Sequence, residues 1–136
     1  MESRRLSNGH KLRIAPIPAM RSLALMSRIA KVASKPFLQQ LATGEFNTVT
    51  FIILVSSQLD PETIQDLARE SLRSATLEVD GKLVELDSDE AINQVFTGQM
   101  FALLEATKHA IEVHYGDFFA KASVLFLGGG SDKESV

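Results

Sequence analysis

Glu105, His109 and Glu112 stand at i, i+4 and i+7, a spacing that places all three side chains on one face of an α-helix. Carboxylate and imidazole ligands in that geometry can hold a divalent metal between helices. A carboxylate-bridged site needs a matching set from a second helix, and no other segment offers a Glu/His pair. The spacing therefore favours solvated ion pairing over metal. His114, beside Tyr115, reads as a residue that packs or caps a helix end. Serine nucleophile elbows, HExxH, Walker A and dinucleotide-binding glycine patterns are all missing, and Gly128-Gly129-Gly130 has no following helix on which to cradle a phosphate. The chain has no cysteine, which removes disulfides, thiolate metal sites and thiol catalysis together. Neither an enzyme nor a cofactor is expected.

Arg21, Arg28, Lys31 and Lys35 give one helix a basic side. A helical DNA-binding regulator would use such residues, but no aromatic platform accompanies them and the net charge is −3. A solvated helix face is the simpler reading, and no nucleic acid partner is expected. The longest unbroken apolar run, Phe51 to Val55, is far too short to span a bilayer, and no apolar segment follows the basic N-terminus, so no membrane partner is expected either.

What remains is apolar surface, and it concentrates on one segment. From Asp87 to Phe119 the periodicity predicts one long helix, with Asp87 and Glu90 as a capping box at its start. Ile92, Phe96, Met100, Leu103, Thr107, Ile111 and Phe118 form one apolar stripe. Val95, Phe101, Leu104 and Ala110 widen it, so this spine should be buried on two sides or share a side with a partner. Gly98 would let another helix approach closely. Gly116 should stop or kink the spine, with Asp117 capping a short last helix, Phe118 to Leu127.

The elements around the spine follow from local signals. Met1 to Gly9 reads as a frayed arm ending in an Asn8-Gly9 turn, followed by a short strand, His10 to Ile14. Pro18 suits the first turn of a helix reaching Ser34, and Ser34-Lys35-Pro36 breaks it before a short helix, Phe37 to Ala42. Phe46 to Ser57 is rich enough in β-branched residues for a buried strand, yet its length and a cap at Asn47 permit a buried helix. Its helical neighbours favour the helix. Asp60-Pro61-Glu62 starts another helix, to about Ser74, with Ile64, Leu67, Ala68, Ser71 and Leu72 inward. Ala75 to Leu86 is a hairpin on Asp80-Gly81, pairing Val79 with Lys82, Leu77 with Val84 and Ala75 with Leu86.

At 136 residues the chain fits one domain, and no second core is expected. The expected fold class is mainly α: a compact helical domain over residues 11–127 with a small β-hairpin and a long C-terminal helix. A flexible arm (1–10) and a disordered tail (128–136) flank it.

The stretches LRIAPIPAMRSLALMSRIAK, LDPETIQDLARESL, VDGKLVEL and EVHYGDFF, in that order, resemble the tail assembly chaperones of tailed bacteriophages, over about Lys11 to Phe119. The hairpin glycine and the aromatic-glycine-acidic-aromatic end of the last helix are the most distinctive parts. Asn often stands in the family where this chain has His114. The resemblance implies a small non-enzymatic protein of the host bacterial cytoplasm. It implies a protein that binds the long hydrophobic tape measure protein, helps recruit tail tube subunits and is absent from the mature virion. It further implies a frameshifted long form, near whose site the glycine run could sit. Self-association is compatible with the two-sided spine, and a structural tail-completion protein is the alternative within the same setting. Phe96, Phe101, Leu104, Tyr115, Phe118 and Phe119 are the expected partner contacts.

Overall fold

A computed structural model describes the backbone of residues 2–32 and 48–126, and the side chains of 2–27, 48–57 and 59–115. Among the described residues the order is β1 (Glu2–Arg5), β2 (Lys11–Ile14), α1 (Ala19–Val32), α2 (Thr48–Gln58), α3 (Pro61–Leu72), β3 (Ala75–Val79), β4 (Lys82–Glu85), α4 (Asp89–Phe96) and α5 (Met100–Phe126).

The strands form one antiparallel sheet in the order β1-β2-β3-β4. The β3–β4 hairpin has the expected register, with Val79 opposite Lys82 and Leu77 opposite Val84, and the Leu86 N–H donates to the Ala75 carbonyl at 2.9 Å. Asp80 (φ 50°) and Gly81 (φ 82°) supply the two positive φ angles of the turn. The sheet is larger than a hairpin because the other edge of β3 pairs with β2, Leu12 facing Leu77 and Ile14 facing Ala75. Residues 2–5, expected as a frayed arm, are strand β1, paired with β2 from Glu2 opposite Ile14 to Arg5 opposite Lys11. The sequence Glu-Ser-Arg-Arg has no apolar alternation. Its order comes from backbone pairing and from the buried Leu6 that follows, so periodicity alone misses it. The fold is therefore helix-rich with a four-stranded sheet.

Asp60 caps α3, its carboxylate accepting from the Thr63 N–H, and Pro61 occupies the first position. Phe46 to Ser57 resolves as helix from Thr48: α2 runs eleven residues without a charged side chain, and Phe51 and Val55 bury its inner face. The break at Pro36, the helix Phe37 to Ala42, the Asn47 cap and the tail from Gly128 lie outside the described residues.

The spine is two helices, not one. Thr97 and Gly98 separate α4 from α5, and Gly98 has φ +80°, which an L side chain adopts only at a cost. Nothing lies within 4 Å of a Cβ built there, so this glycine makes a turn and does not admit a neighbouring helix. The cap of α4 is Ser88, whose hydroxyl accepts from the Ala91 N–H at 3.1 Å, one residue beyond the expected Asp87. At the other end, α5 passes through Gly116 to Phe126 without the expected stop. A glycine in a helix interior costs only about 1 kcal/mol, too little to end a long helix.

Two cores flank α5, where the length of the chain predicts a single one, because α5 is apolar on two sides. Ala102, Ala106 and Ala110, a stripe of small residues, meet the inner face of the sheet (Leu12, Ile14, Leu77) together with Leu6, Leu72, Ile92 and Phe96. Ile111 and Tyr115 join Ile17, Leu25, Phe51, Val55 and Leu67 in the second core.

Candidate functional site: a groove between three helices

One wall comes from α3, where Leu67, Ser71 and Leu72 turn into the cores and leave Ile64 and Ala68 half-buried at the edge of the stripe, with Gln65 and Arg69 beside them. The second wall is α4, through Asp89, Ile92 and Asn93. The third is the start of α5, through Met100, Leu103 and Leu104. Each helix contributes residues spaced by one, three or four, so each presents one face to the same trough. The space enclosed is about 380 Å³. Its floor is apolar, and Met100 stands at its mouth with 66% of its surface exposed.

Arg69 ties two walls together. Its Nε and Nη2 donate to the two carboxylate oxygens of Asp89 at 2.8 and 3.0 Å, and its Nη1 donates to Asp66 at 2.7 Å. The hydrogen bonds from Arg69 hold the Asp89 carboxyl below the usual carboxylate range. Asp89 is the first residue of α4, so the ion pair also complements the positive end of that helix dipole.

Behind the groove, the elbow between α4 and α5 is braced by the N-terminal hairpin. Glu105, 9% exposed, accepts from the Ser7 N–H and the Ser7 hydroxyl, both at 2.9 Å. Asn8 Nδ2 donates to Gln99 Oε1 at 2.6 Å. Glu105 is thus engaged by Ser7 and does not join His109 and Glu112 in a cluster. His109 Nδ1 lies 3.3 Å from Glu112 Oε1, which also accepts from Lys108 Nζ at 3.2 Å. Burial raises the pKa of Glu112, but the hydrogen bond to His109 and the nearby Lys108 charge outweigh it, so the net shift is downward. Among the described residues no group of His, Asp and Glu could hold a metal. His114 packs, as expected: Nε2 lies 2.9 Å from the Ser71 carbonyl, and burial pushes its pKa down. Arg21, from the basic helix side, is ion-paired with Glu70 at 2.9 Å. The side chains of Arg28 and Lys31 lie outside the described residues.

The expected contact residues separate into three groups. Phe96, 3% exposed, and Tyr115, 2% exposed, are core residues, and the Tyr115 hydroxyl donates to the Ser22 carbonyl at 3.1 Å. Leu104 lines the groove, and Phe101 is 46% exposed at the start of α5. The side chains of Phe118 and Phe119 lie outside the described residues, on the last turns of α5. Sequence reasoning placed Met100, Leu103, Ile64 and Ala68 inside. The available signal was the width of the apolar stripes: a stripe wider than its neighbour can cover leaves its edge in a groove.

A family model described as Phage tail assembly chaperone protein, TAC, matches residues 8–127, and the chain belongs to that family. No curated protein and no solved structure accompanies that match. Among the described residues no helix is long and apolar enough to cross a membrane.

Proposed function

We propose that this tail assembly chaperone binds helical, hydrophobic segments of the tape measure protein in the groove between α3, α4 and α5. In doing so it keeps that protein soluble in the host cytoplasm and helps recruit tail tube subunits, through a frameshifted long form. It acts without catalysis and leaves before the virion is complete. The observation that carries this reading is the apolar trough with the exposed side chain of Met100 in its lining. Large apolar groups left in water at the mouth of a groove suit an amphipathic helix, and burying each contributes roughly 1.5–3 kcal/mol.

Coexpression tests it. The tape measure protein should be soluble with the wild-type chain and insoluble with Met100→Glu or Leu104→Glu. Equal solubility with and without the chaperone would overturn the proposal.

A further inference from the structure

The groove offers its occupant an apolar floor, and the two charged residues of its lining are paired with each other. Arg69 and Asp89, the charged residues of its lining, are locked to each other by two hydrogen bonds, and Arg69 spends its remaining terminal nitrogen on Asp66. An occupant with a charge at the contact would have to break this arrangement or bury the charge without a partner, which is costly. The remaining polar lining, Gln65 and Asn93, is exposed and uncharged, and each amide can donate or accept.

Volume narrows the occupant further. A cavity of roughly 150 Å³ holds a benzene-sized group, so a trough of about 380 Å³ takes two large apolar side chains. Side chains at i and i+4 of a helix lie roughly 5–6 Å apart at Cβ and point the same way, which delivers two anchors into one trough. A small-molecule site would enclose most of its ligand. Here Gln65, Asp89, Asn93 and Met100 are all exposed, so the trough is open along its rim. Met100 has an unbranched, flexible side chain that can close on anchors of different shapes.

Resting on the reading of this groove as the tape measure site, we infer that it recognises a partner helix by anchor spacing and apolar volume alone. It is indifferent to which large apolar residues fill it and to charge on the rest of the helix. One groove then serves many different segments along a single long helical partner.

The test uses the full chain and fluorescein-labelled synthetic helical peptides of about 18 residues, with two leucines at i and i+4 on an Ala/Gln/Lys/Glu background. Anisotropy should give a Kd that changes less than about threefold when the pair becomes Met or Phe. It should also change less than about threefold between about 0.05 and about 0.5 M NaCl. Aspartate in place of one anchor, or Met100→Glu in the protein, should weaken binding at least tenfold, about 1.4 kcal/mol. Met100 is exposed, so that variant keeps its fold, which a thermal melt checks. Binding that weakens more than tenfold with salt, binding to one anchor pair only, or no binding to any peptide overturns the inference. Loss of peptide binding alongside retained solubilisation of the tape measure protein sinks this inference and spares the proposed function. Peptide binding with an insoluble tape measure protein does the reverse.

Discussion

Glu105 and Ser7, 98 positions apart, are joined by two hydrogen bonds of 2.9 Å, one from the main-chain N–H of Ser7 and one from its hydroxyl. This contact fixes the turn of the N-terminal hairpin on α5, one residue beyond the groove-lining Leu104. Hydrogen bonds to a charged group contribute about 1.5–3 kcal/mol. Glu105→Ala should cost about that much in urea denaturation. Glu105→Gln, which can still accept, should cost less than half as much, and hydrogen exchange at residues 2–14 should accelerate in the alanine variant first. A uniform loss of protection across the domain would contradict a local brace.

Gly98 turns the chain between α4 and α5 at φ +80° with open space around it. Gly98→Ala should therefore destabilise by about 1–2 kcal/mol through backbone strain alone. Asn tolerates positive φ better than Ala, so Gly98→Asn should lose less. Thermal melts of the two variants decide it: equal losses would mean that a steric contact, not the dihedral, sets the cost.

His114 contributes a pH dependence whose sign follows from burial. Its pKa is lowered in the folded state below the value of about 6.5 in the unfolded chain, so the unfolded state binds the proton more readily. Its contribution is fully present above about pH 6.5 and is lost as pH falls from there toward the lowered value. His114→Asn keeps an N–H for the Ser71 carbonyl and removes the titration. Its stability should fall less between about pH 7 and about pH 5 than that of the wild-type chain. Parallel curves would show that another group sets the acid limb.

Core and surface aromatics should divide cleanly. Phe96→Ala should cost about 3–5 kcal/mol and Tyr115→Phe about 1 kcal/mol, whereas Phe101→Ala should stay within about 0.5 kcal/mol. Partner retention should show the opposite order among the folded variants, with Phe101→Ala impaired and Tyr115→Phe near wild-type. Pull-down of the tape measure protein by each variant, normalised to folded fraction, checks the split.

Much of this architecture was legible because it is written in local chemistry. Asp60-Pro61 and Asp80-Gly81 fix a helix start and a hairpin turn through the capping and φ requirements of those residues themselves. The double apolar stripe of the spine implied burial on two sides or a side shared with a partner, not a second core, yet Ala110 and Ile111, adjacent in sequence, face different cores. What escaped depended on distant partners. β1 is polar and ordered by β2, and β2 pairs with β3 across a sequence separation that includes α1, α2 and α3. The groove escaped for a related reason: whether Met100 is core or surface depends on where α4 stops, and that is decided by the dihedral of Gly98. Periodicity reports that a face is apolar, not how much of it a neighbour covers.

The uncharged α2 has a consequence for the chain before it folds. The segment Thr48-Val49-Thr50-Phe51-Ile52-Ile53-Leu54-Val55 combines β-branched and apolar residues with no charge and no proline, the composition of segments that stack as intermolecular strands. It is held as a helix by Phe51 and Val55 inserted beside Leu67, Ile111 and Tyr115. Docking against α5 therefore withholds Phe51 and Val55 from intermolecular pairing, whereas Val49 and Ile53 of the same helix stay 55% and 60% exposed.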